Sequence, residues 1–198
     1  MPRPQRRGIC FGTAVAQSAG MTLPSIRPAA PVDIPAIAAI YAHAVCNGTA
    51  SWELDPPGEA EMLRRLEATL AGGYPYLAAE RDGALLGYAY AGAYRPRPAY
   101  RATVENSIYL APAAQGLGIG SLLLDALIAE CTKRGFRQMI AVIGDGTGAS
   151  IGSRRLHEKA GFRLIGVAEK VGFKHGRWLD QMLMQKELGE ADRSPPGF

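Results

Sequence analysis

The residues of this chain with the clearest capacity for chemistry lie in one stretch, Thr103 to Ser121. A strand pattern carries the carboxylate of Glu105, and a loop with glycines at Gly116, Gly118 and Gly120 leads into a long apolar helix pattern. Glycines allow a backbone to approach a ligand closely, and the free N–H groups of a first helical turn attract anions. The stretch therefore predicts a phosphate-binding turn beside a candidate general base.

Two common phosphate loops do not fit this pattern. A P-loop ends in Gly-Lys-Ser/Thr, whereas this loop ends in Gly120, Ser121 and Leu122 and contains no lysine. A dinucleotide-binding fingerprint reads G-x-G-x-x-G, whereas these glycines read G-x-G-x-G. Taken alone, the loop is also compatible with a simple glycine-rich turn before a core helix.

The spacing Gln115-x-x-Gly118-x-Gly120 resembles the acyl-CoA loop of the GCN5-related N-acetyltransferase (GNAT) superfamily. The phosphinothricin acetyltransferase branch of that superfamily is similar in three further blocks: Tyr94 to Leu110, Leu156 to Phe162 and Val171 to Leu188. The resemblance covers about residues 24 to 188. Four blocks in the same order are far more specific than the loop alone.

This resemblance implies an α/β (α+β) GNAT fold. Its sheet is expected to be central, mixed, mostly antiparallel and twisted, with six to seven strands, splayed central strands and helices on both faces. It also implies acetyl-CoA as co-substrate without a metal, and a homodimer. The implied reaction acetylates the α-amine of a small amino-acid-like substrate such as phosphinothricin, methionine sulfoximine or methionine sulfone.

Two alternatives to this function stay open at the level of sequence. The first is a GNAT enzyme for another amine, such as an antibiotic, a polyamine or a protein N-terminus. The second is a non-catalytic CoA-binding sensor. The sensor is favoured by one departure from the family pattern, because the run Gly144 to Ser153 lacks the asparagine that usually contacts CoA.

Acetyl transfer to an amine needs a proton acceptor, because an amine attacks a thioester only as the free base. Glu105 is the candidate base, acting directly or through one water, and partial burial would raise its pKa. The alternative is a structural carboxylate neutralised by Arg97 or Arg101. The backbone N–H of Leu110 is a candidate donor to the developing oxyanion. By resemblance, His157 would protonate the leaving thiolate, with a packing or capping role as the alternative.

The resemblance assigns CoA binding to two groups of backbone atoms. The splayed strand would pair with the pantetheine arm as another strand would, through Ile108, Tyr109 and Leu110. The loop would hold the diphosphate through Gln115, Gly116, Leu117, Gly118, Ile119, Gly120 and Ser121. Ser150 or Thr147 would replace the missing asparagine.

Substrate binding is predicted for a proline-broken loop that carries Arg95 and Arg97. Arginines so placed can grip a carboxylate through bidentate hydrogen bonds, although solvated loop arginines are the ordinary alternative. Trp52 either lines the pocket or packs at the edge of the core. The resemblance adds three further pocket residues: Asn106, Ser107 and Lys174.

Composition limits the class of protein. The chain has 198 residues, 47% of them hydrophobic, which favours one catalytic domain, assigned to residues 21–189. Arg3, Arg6 and Arg7 supply three of the net charge of +4, so no basic face for nucleic acid is expected. No apolar run reaches the roughly 18 residues of a membrane span. Three cysteines without metal-like spacing favour a cytoplasmic protein.

Residues 1–20 combine arginines with small residues and predict a disordered extension or an over-long gene start, with a mitochondrial presequence as the further alternative. The tail 190–198 also predicts disorder. One helix pattern begins at Asp33, and three more cover Glu59–Leu70, Leu117–Arg134 and Ser153–Ala160. Strand patterns cover Ser25–Ala29, Tyr76–Arg81, Ala84–Ala93, Thr103–Leu110, Gln138–Ile143, Leu164–Val171 and Arg177–Leu188.

Overall fold

A computed structural model describes residues 22–145 and 150–197 of the chain. Its strands are β1 (Ser25–Pro28), β2 (Tyr76–Arg81), β3 (Ala84–Ala93), β4 (Thr103–Leu110), β5 (Gln138–Gly144), β6 (Arg163–Lys174) and β7 (Arg177–Glu187). They form one seven-stranded sheet in the order β1-β2-β3-β4-β5-β7-β6. Within these described strands, only β4 and β5 run parallel. The predicted mixed, mostly antiparallel sheet is confirmed.

Helices cover both faces of this sheet, as the family fold predicts. The four α-helices of the described residues are α1 (Ile34–Asn47), α2 (Glu59–Ala71), α3 (Ile119–Lys133) and α4 (Ile151–Lys159). On one face, α1 and α2 bury apolar residues against four tyrosines of the sheet, with Ile37 and Leu66 fully enclosed. On the other face, α3 packs Leu123 and Leu127 onto the sheet beside Phe162. The sheet is therefore shielded between two apolar cores.

Tight turns fix the register of the two hairpins. Asp82 and Gly83 join β2 to β3 with φ angles of 53° and 78°. His175 and Gly176 join β6 to β7 with φ angles of 52° and 72°. Positive φ at both central residues is the requirement of a type I′ turn, which Asp-Gly fulfils easily. The hairpin predicted at Asp82-Gly83 is therefore present.

The central strands separate part-way along their length. The pairing of β4 with β5 runs from Thr103 opposite Gln138 to Asn106 opposite Ala141. Beyond that point β4 continues beside β3, while β5 continues beside β7 to Gly144. A wedge-shaped gap opens between the two strands after Asn106. The splayed strands implied by the resemblance are thus present.

The local structure differs from the sequence predictions at several element ends. Asp33 directly precedes α1, but its carboxylate accepts hydrogen bonds from Ala30 N at 2.8 Å and from Arg27 rather than capping α1. Helix α3 begins at Ile119, two residues later than predicted, because Gly118 adopts a left-handed conformation at the N-cap. A left-handed residue cannot continue a right-handed helix.

The C-terminal segment, for which the sequence predicts disorder, contacts the rest of the domain in the structure. Residues 189–194 form turns and bends, Ala191 is buried, and Arg137 donates hydrogen bonds to Ser194 Oγ and Pro195 O at 3.1 and 3.4 Å. Burial of the apolar side chain of Ala191 offsets part of the conformational-entropy cost of ordering this segment. Residues 1–20 and Thr147 lie outside the described residues, so the predictions made for them stay predictions.

Candidate active site

A cavity of about 470 Å³ opens where β4 and β5 separate. Most of its lining comes from four parts of the fold: residues 50–53 after α1, residues 105–109 of β4, the end of β5 and the first turns of α4. Tyr41, Tyr90 and Gln181 complete it. This volume is typical of small-molecule sites. The cavity brings together eight of the predicted site residues: Trp52, Glu105, Asn106, Ser107, Ile108, Tyr109, Ser150 and His157.

Glu105 projects a carboxylate into this cavity from the wall formed by β4. Burial raises the pKa of Glu105 above its ordinary value, and the positive charge of Arg95 offsets part of that rise. None of the ion pairs among the described residues involves Glu105. The carboxylate is therefore available to a ligand, and its raised pKa follows the expectation from partial burial.

Backbone groups of β4 point into the gap at alternate residues. Ala111 N donates to Leu86 O at 2.9 Å, so the alternation of an antiparallel ladder makes Tyr109 and Tyr88 the next hydrogen-bonded pair. The N–H and C=O groups of Ile108 and Leu110 then face away from β3 and toward the gap. A strand-like ligand can pair with these two residues, whereas the backbone of Tyr109 is directed at β3. Sequence reasoning had placed all three in one role.

The glycine loop presents an open surface before α3. Gly116 and Gly118 have φ angles of 75° and 80°, and a Cβ placed on either would meet no atom within 4 Å. Gly120 differs, because a Cβ there would lie 3.3 Å from Leu156 and 3.6 Å from Leu110. Gly116 and Gly118 supply the left-handed backbone conformation and leave the loop accessible to a ligand. Gly120 allows α3 to pack closely against α4 and β4.

The remaining residues of the loop are mostly exposed. Gln115 and Leu117 are accessible to solvent, and Ser121 N donates to Gly118 O at 3.1 Å in the first turn of α3. The buried side chain of Ile119 anchors that turn in the core. The helix therefore presents its positive end at a surface where an anionic group has access.

His157 is buried in α4 and both of its ring nitrogens have partners. Nδ1 lies 2.8 Å from Ser153 O, so it must donate, and Nε2 lies 3.0 Å from Asn106 Nδ2. Burial lowers the pKa of His157, with a smaller opposing effect from the bond to Ser153, which favours a neutral ring that accepts from Asn106. Protonation of a thiolate by His157 stays a prediction, and it requires one of these bonds to break.

The replacement for the family's turn asparagine is only partly visible. Ser150 is buried at the N-terminus of α4, lines the cavity and lies 3.3 Å from Thr49 through the two hydroxyl oxygens. Its hydroxyl is thus in a position to contact a ligand in the gap. The other candidate, Thr147, falls in the run that the structure leaves undescribed.

The predicted cationic residues lie apart from the cavity wall. Arg95 and Arg97 are exposed, and the guanidinium of Arg95 sits 5.1 Å from the centre of the Tyr94 ring. Lys174 is buried and donates to Ser51 O at 2.6 Å, so it supports a loop of the cavity rather than lining it. Burial lowers the pKa of Lys174.

Sequence reasoning missed a second carboxylate in the cavity, that of Glu53. It accepts hydrogen bonds from Tyr41 at 2.9 Å and from Arg65 at 2.6 Å. Tyr90 also lines the cavity, and its hydroxyl is hydrogen-bonded to Ser107. The one local signal was the position of Glu53 beside Trp52, since Tyr41 and Arg65 each lie 12 positions away and reach Glu53 only when the two flanking helices pack against the loop.

Two classes of feature are absent from the described residues. Within 22–145 and 150–197, no helix has both the length and the apolar character that crossing a bilayer demands. In the same ranges, no cluster of three or more His, Cys, Asp or Glu residues could hold a metal ion.

Known proteins match this chain over most of its length. The sequence model of the Acetyltransferase (GNAT) family matches residues 37–162. A phosphinothricin N-acetyltransferase of Alcaligenes faecalis is 54% identical over 165 residues, which cover 83% of this chain and 82% of the relative. An L-methionine sulfoximine/L-methionine sulfone acetyltransferase of Pseudomonas paraeruginosa is 43% identical over 173 residues, covering 87% of this chain and 98% of the relative.

The fold matches solved structures equally well. A crystal structure of a GNAT superfamily phosphinothricin acetyltransferase from Sinorhizobium meliloti, in complex with acetyl-CoA, superposes with a TM-score of 0.84 at 49% sequence identity. The superposition covers 87% of this chain and 92% of that one. Together with the cavity at the splayed strands and the open glycine turn, these matches show that the chain belongs to the acetyltransferase (GNAT) family.

Proposed function

We propose that this protein transfers the acetyl group of acetyl-CoA to the α-amine of a small amino-acid-like acid of the phosphinothricin, methionine sulfoximine or methionine sulfone type. The proposal follows the substrates named for the relatives at 54% and 43% identity. The structural observation that carries it is the half-buried carboxylate of Glu105 in the cavity at the splayed strands.

Glu105 takes the proton that the incoming ammonium must lose, directly or through one water. The amine nitrogen then attacks the thioester carbonyl carbon, a C–N bond forms, and the C–S bond breaks with release of the thiol. The N–H of Leu110, which faces the gap, stabilises the negative charge that develops on the carbonyl oxygen. Much of the rate acceleration comes from holding the two substrates in line.

The acetyl donor, acetyl-CoA, is proposed to bind to backbone groups that are not used within the sheet or the helix. Ile108 and Leu110 pair with the pantetheine arm, and the turn from Gln115 to Ser121 holds the diphosphate at the N-terminus of α3. Ser150, at the N-terminus of α4, contacts the pantetheine arm.

The acceptor amino acid is proposed to bind on the side of Glu105 away from acetyl-CoA. Asn106, which His157 orients through their 3.0 Å bond, and Ser107 form the floor, while Trp52 forms a wall. Arg95 and Arg97 bind the acceptor's carboxylate from the loop that precedes β4. Lys174 contributes to this side through its contact with Ser51.

The protein is proposed to act as a homodimer in the cytoplasm. The edge strand β6 and its partner β7 expose a set of large apolar side chains, including Phe173 at 58% and Trp178 at 61% exposure. Exposed apolar groups on an unpaired sheet edge favour association with another surface.

The function is tested with Glu105→Gln. Because the amide has a similar shape but is a far weaker base than the carboxylate, we expect kcat to fall by about 10²- to 10⁴-fold while acetyl-CoA affinity stays unchanged. Thiol release is measured with L-phosphinothricin, L-methionine sulfoximine, L-methionine sulfone, a polyamine and an alanine-terminated peptide.

Glu53→Gln provides the matched comparison, because it alters the other carboxylate of the same cavity. A smaller loss in this variant is expected. Full activity of Glu105→Gln would refute the proposed base, and release with the polyamine or peptide but with none of the amino acids would refute the proposed substrate class. Binding of acetyl-CoA without release in the presence of any amine would support the sensor instead.

A further inference from the structure

The loop of residues 48–53, here called the Trp52 loop, is fastened to distant parts of the fold. His175 Nε2 lies 3.1 Å from Gly48 O, and Lys174 Nζ donates to Ser51 O at 2.6 Å. Both contacts come from the end of the β6–β7 hairpin, which lies far away in sequence. A loop without helix or strand of its own is thus held by a hairpin that is distant in the chain.

The indole of Trp52 lies against two glycines of the sheet. A Cβ at Gly172 in β6 would approach three ring carbons of Trp52 to 2.9 Å or less. A Cβ at Gly144 in β5 would overlap both Trp52 Nε1 and Thr49 O. Carbon atoms pack at about 3.5 to 4.0 Å, so the ring fits only because neither position has a side chain.

Packing rather than hydrogen bonding holds the ring in this place. Trp52 Nε1 is buried and has no hydrogen-bond partner among the described residues. A buried donor without a partner carries a free-energy cost that close ring contact must outweigh. We call the slot formed by Gly144 and Gly172 the glycine slot.

The helical side of the cavity fixes the same loop from the other direction. The hydroxyl of Tyr41 in α1 lies 2.9 Å from Ser51 Oγ and donates to Glu53 at 2.9 Å. Arg65 in α2 donates to Glu53 at 2.6 Å. The Trp52 loop is therefore immobilised between both halves of the molecule, and residues 50–53 are cavity wall.

We propose that the glycine slot and its fastenings make the Trp52 loop a rigid wall that limits the size of the acceptor side chain, with Gly172 as a positioning residue. This inference rests on the proposed acetyl transfer and deepens it. A rigid wall selects acceptors by excluding bulk, since a cavity of fixed volume cannot expand to admit a larger side chain. Trp52 sets the limit, and Gly172 allows Trp52 to reach its place.

The first test replaces the slot glycine. Gly172→Ala should displace the ring of Trp52, raise the KM for L-methionine sulfone by about tenfold and leave the KM for acetyl-CoA unchanged. Gly166→Ala is the matched control, because Gly166 lies in the same strand and a Cβ there would meet nothing within 4 Å. The control should behave as wild type.

Fluorescence reports the ring directly, without reference to activity. The chain has two tryptophans, so a Trp178→Phe background leaves Trp52 as the sole tryptophan, which is excited selectively at a wavelength that tyrosine does not absorb. In that background Gly172→Ala should shift the emission to longer wavelength as the buried indole becomes solvated, and Gly166→Ala should not. Unchanged emission in an active Gly172→Ala enzyme would overturn the inference.

The second test enlarges the cavity. Trp52→Ala should raise the rate with L-tryptophan relative to L-methionine sulfone by about tenfold, because the wall that excludes the bulkier side chain is gone. An unchanged ratio in Trp52→Ala would show that another element sets the limit and would refute the inference. A wild-type protein that acetylates no acceptor would refute the proposed function itself, which distinguishes the two failures.

Discussion

Glu105 combines the two properties that a general base near neutral pH requires. It lines a ligand-sized cavity, and burial raises the pKa of its carboxyl above the ordinary value. The charge of Arg95 opposes that rise and keeps more of the carboxylate ionised. The charge of Arg95 thus acts on the pKa of the proposed base from outside the cavity wall.

Arg95→Gln should shift the acidic limb of the kcat/KM–pH profile to higher pH. Removing the positive charge removes an effect that lowers the pKa of Glu105, so the ionised base is lost at a higher pH than in wild type. The KM for an acidic acceptor should rise as well if Arg95 binds its carboxylate. Initial rates between pH 5 and 9 at low ionic strength, where charge effects are least screened, measure both quantities.

Arg97→Gln is the natural comparison, since it removes the same charge from the same loop. It should raise the KM for the acidic acceptor without moving the acidic limb, because the charge that acts on Glu105 is that of Arg95. Equal shifts of the limb in both variants would contradict the assignment. Unchanged KM values in both would remove the loop from substrate binding.

At the level of elements, the turn between β4 and α3 depends on backbone conformation more than on side chains. Gly118 occupies the N-cap of α3 with φ 80° and ψ −4°, a region that other residues adopt only at a cost. Its position leaves the first N–H groups of α3 accessible. The start of the helix is therefore set by one glycine, and the anion-binding role proposed for the turn depends on the same residue.

Gly118→Ala should weaken acetyl-CoA binding by about tenfold, because the turn of the free variant relaxes out of the left-handed conformation and must recover roughly 1–2 kcal/mol of strain to bind. Isothermal titration calorimetry measures the affinity. Gly58→Ala is the control, because Gly58 is the N-cap of α2 with φ −76° and open space around it. It should lower stability slightly without affecting acetyl-CoA. Normal affinity in Gly118→Ala would show that the turn does not hold the diphosphate.

For the whole molecule, the sheet has one unpaired edge that combines exposure with apolar character. β6 is the terminal strand of the sheet, so the backbone groups on its outer edge have no neighbouring strand among the described residues. Phe173 and Trp178 pack edge to face with their ring centres 5.4 Å apart on this surface. Such a pair is costly to leave in water and suits a second copy of the chain.

Phe173→Glu should convert a dimer into a monomer in sedimentation velocity, because it places a charge in the proposed apolar contact. Val32→Glu is the matched substitution elsewhere, since Val32 is 81% exposed beside β1 at the other end of the sheet. It should leave the dimer intact. A monomeric wild-type protein, or a dimer that survives Phe173→Glu, would contradict this assignment of the interface.

Sequence reasoning located most elements within a few residues, because apolar periodicity and turn glycines are properties of neighbouring positions. The bounds of β2, β3 and β4 agree with the structure, and α3 differs at its start because Gly118 is left-handed. The splayed strands and the assignment of the glycine loop to acetyl-CoA came from the family resemblance rather than from periodicity. The burial of Ala191 has no counterpart in the local sequence pattern of the tail.

By itself, the sequence placed Glu105 and the glycine turn in one continuous stretch, because the residues of β4 and of the turn before α3 follow one another along the chain. Only the tertiary structure decided how the cavity is closed. Asn106 meets His157 across 51 positions, and Lys174 reaches Ser51 across 123. Burial, charge and close contact act through space, so the sequence around one residue of such a pair contains no pattern that predicts the other residue.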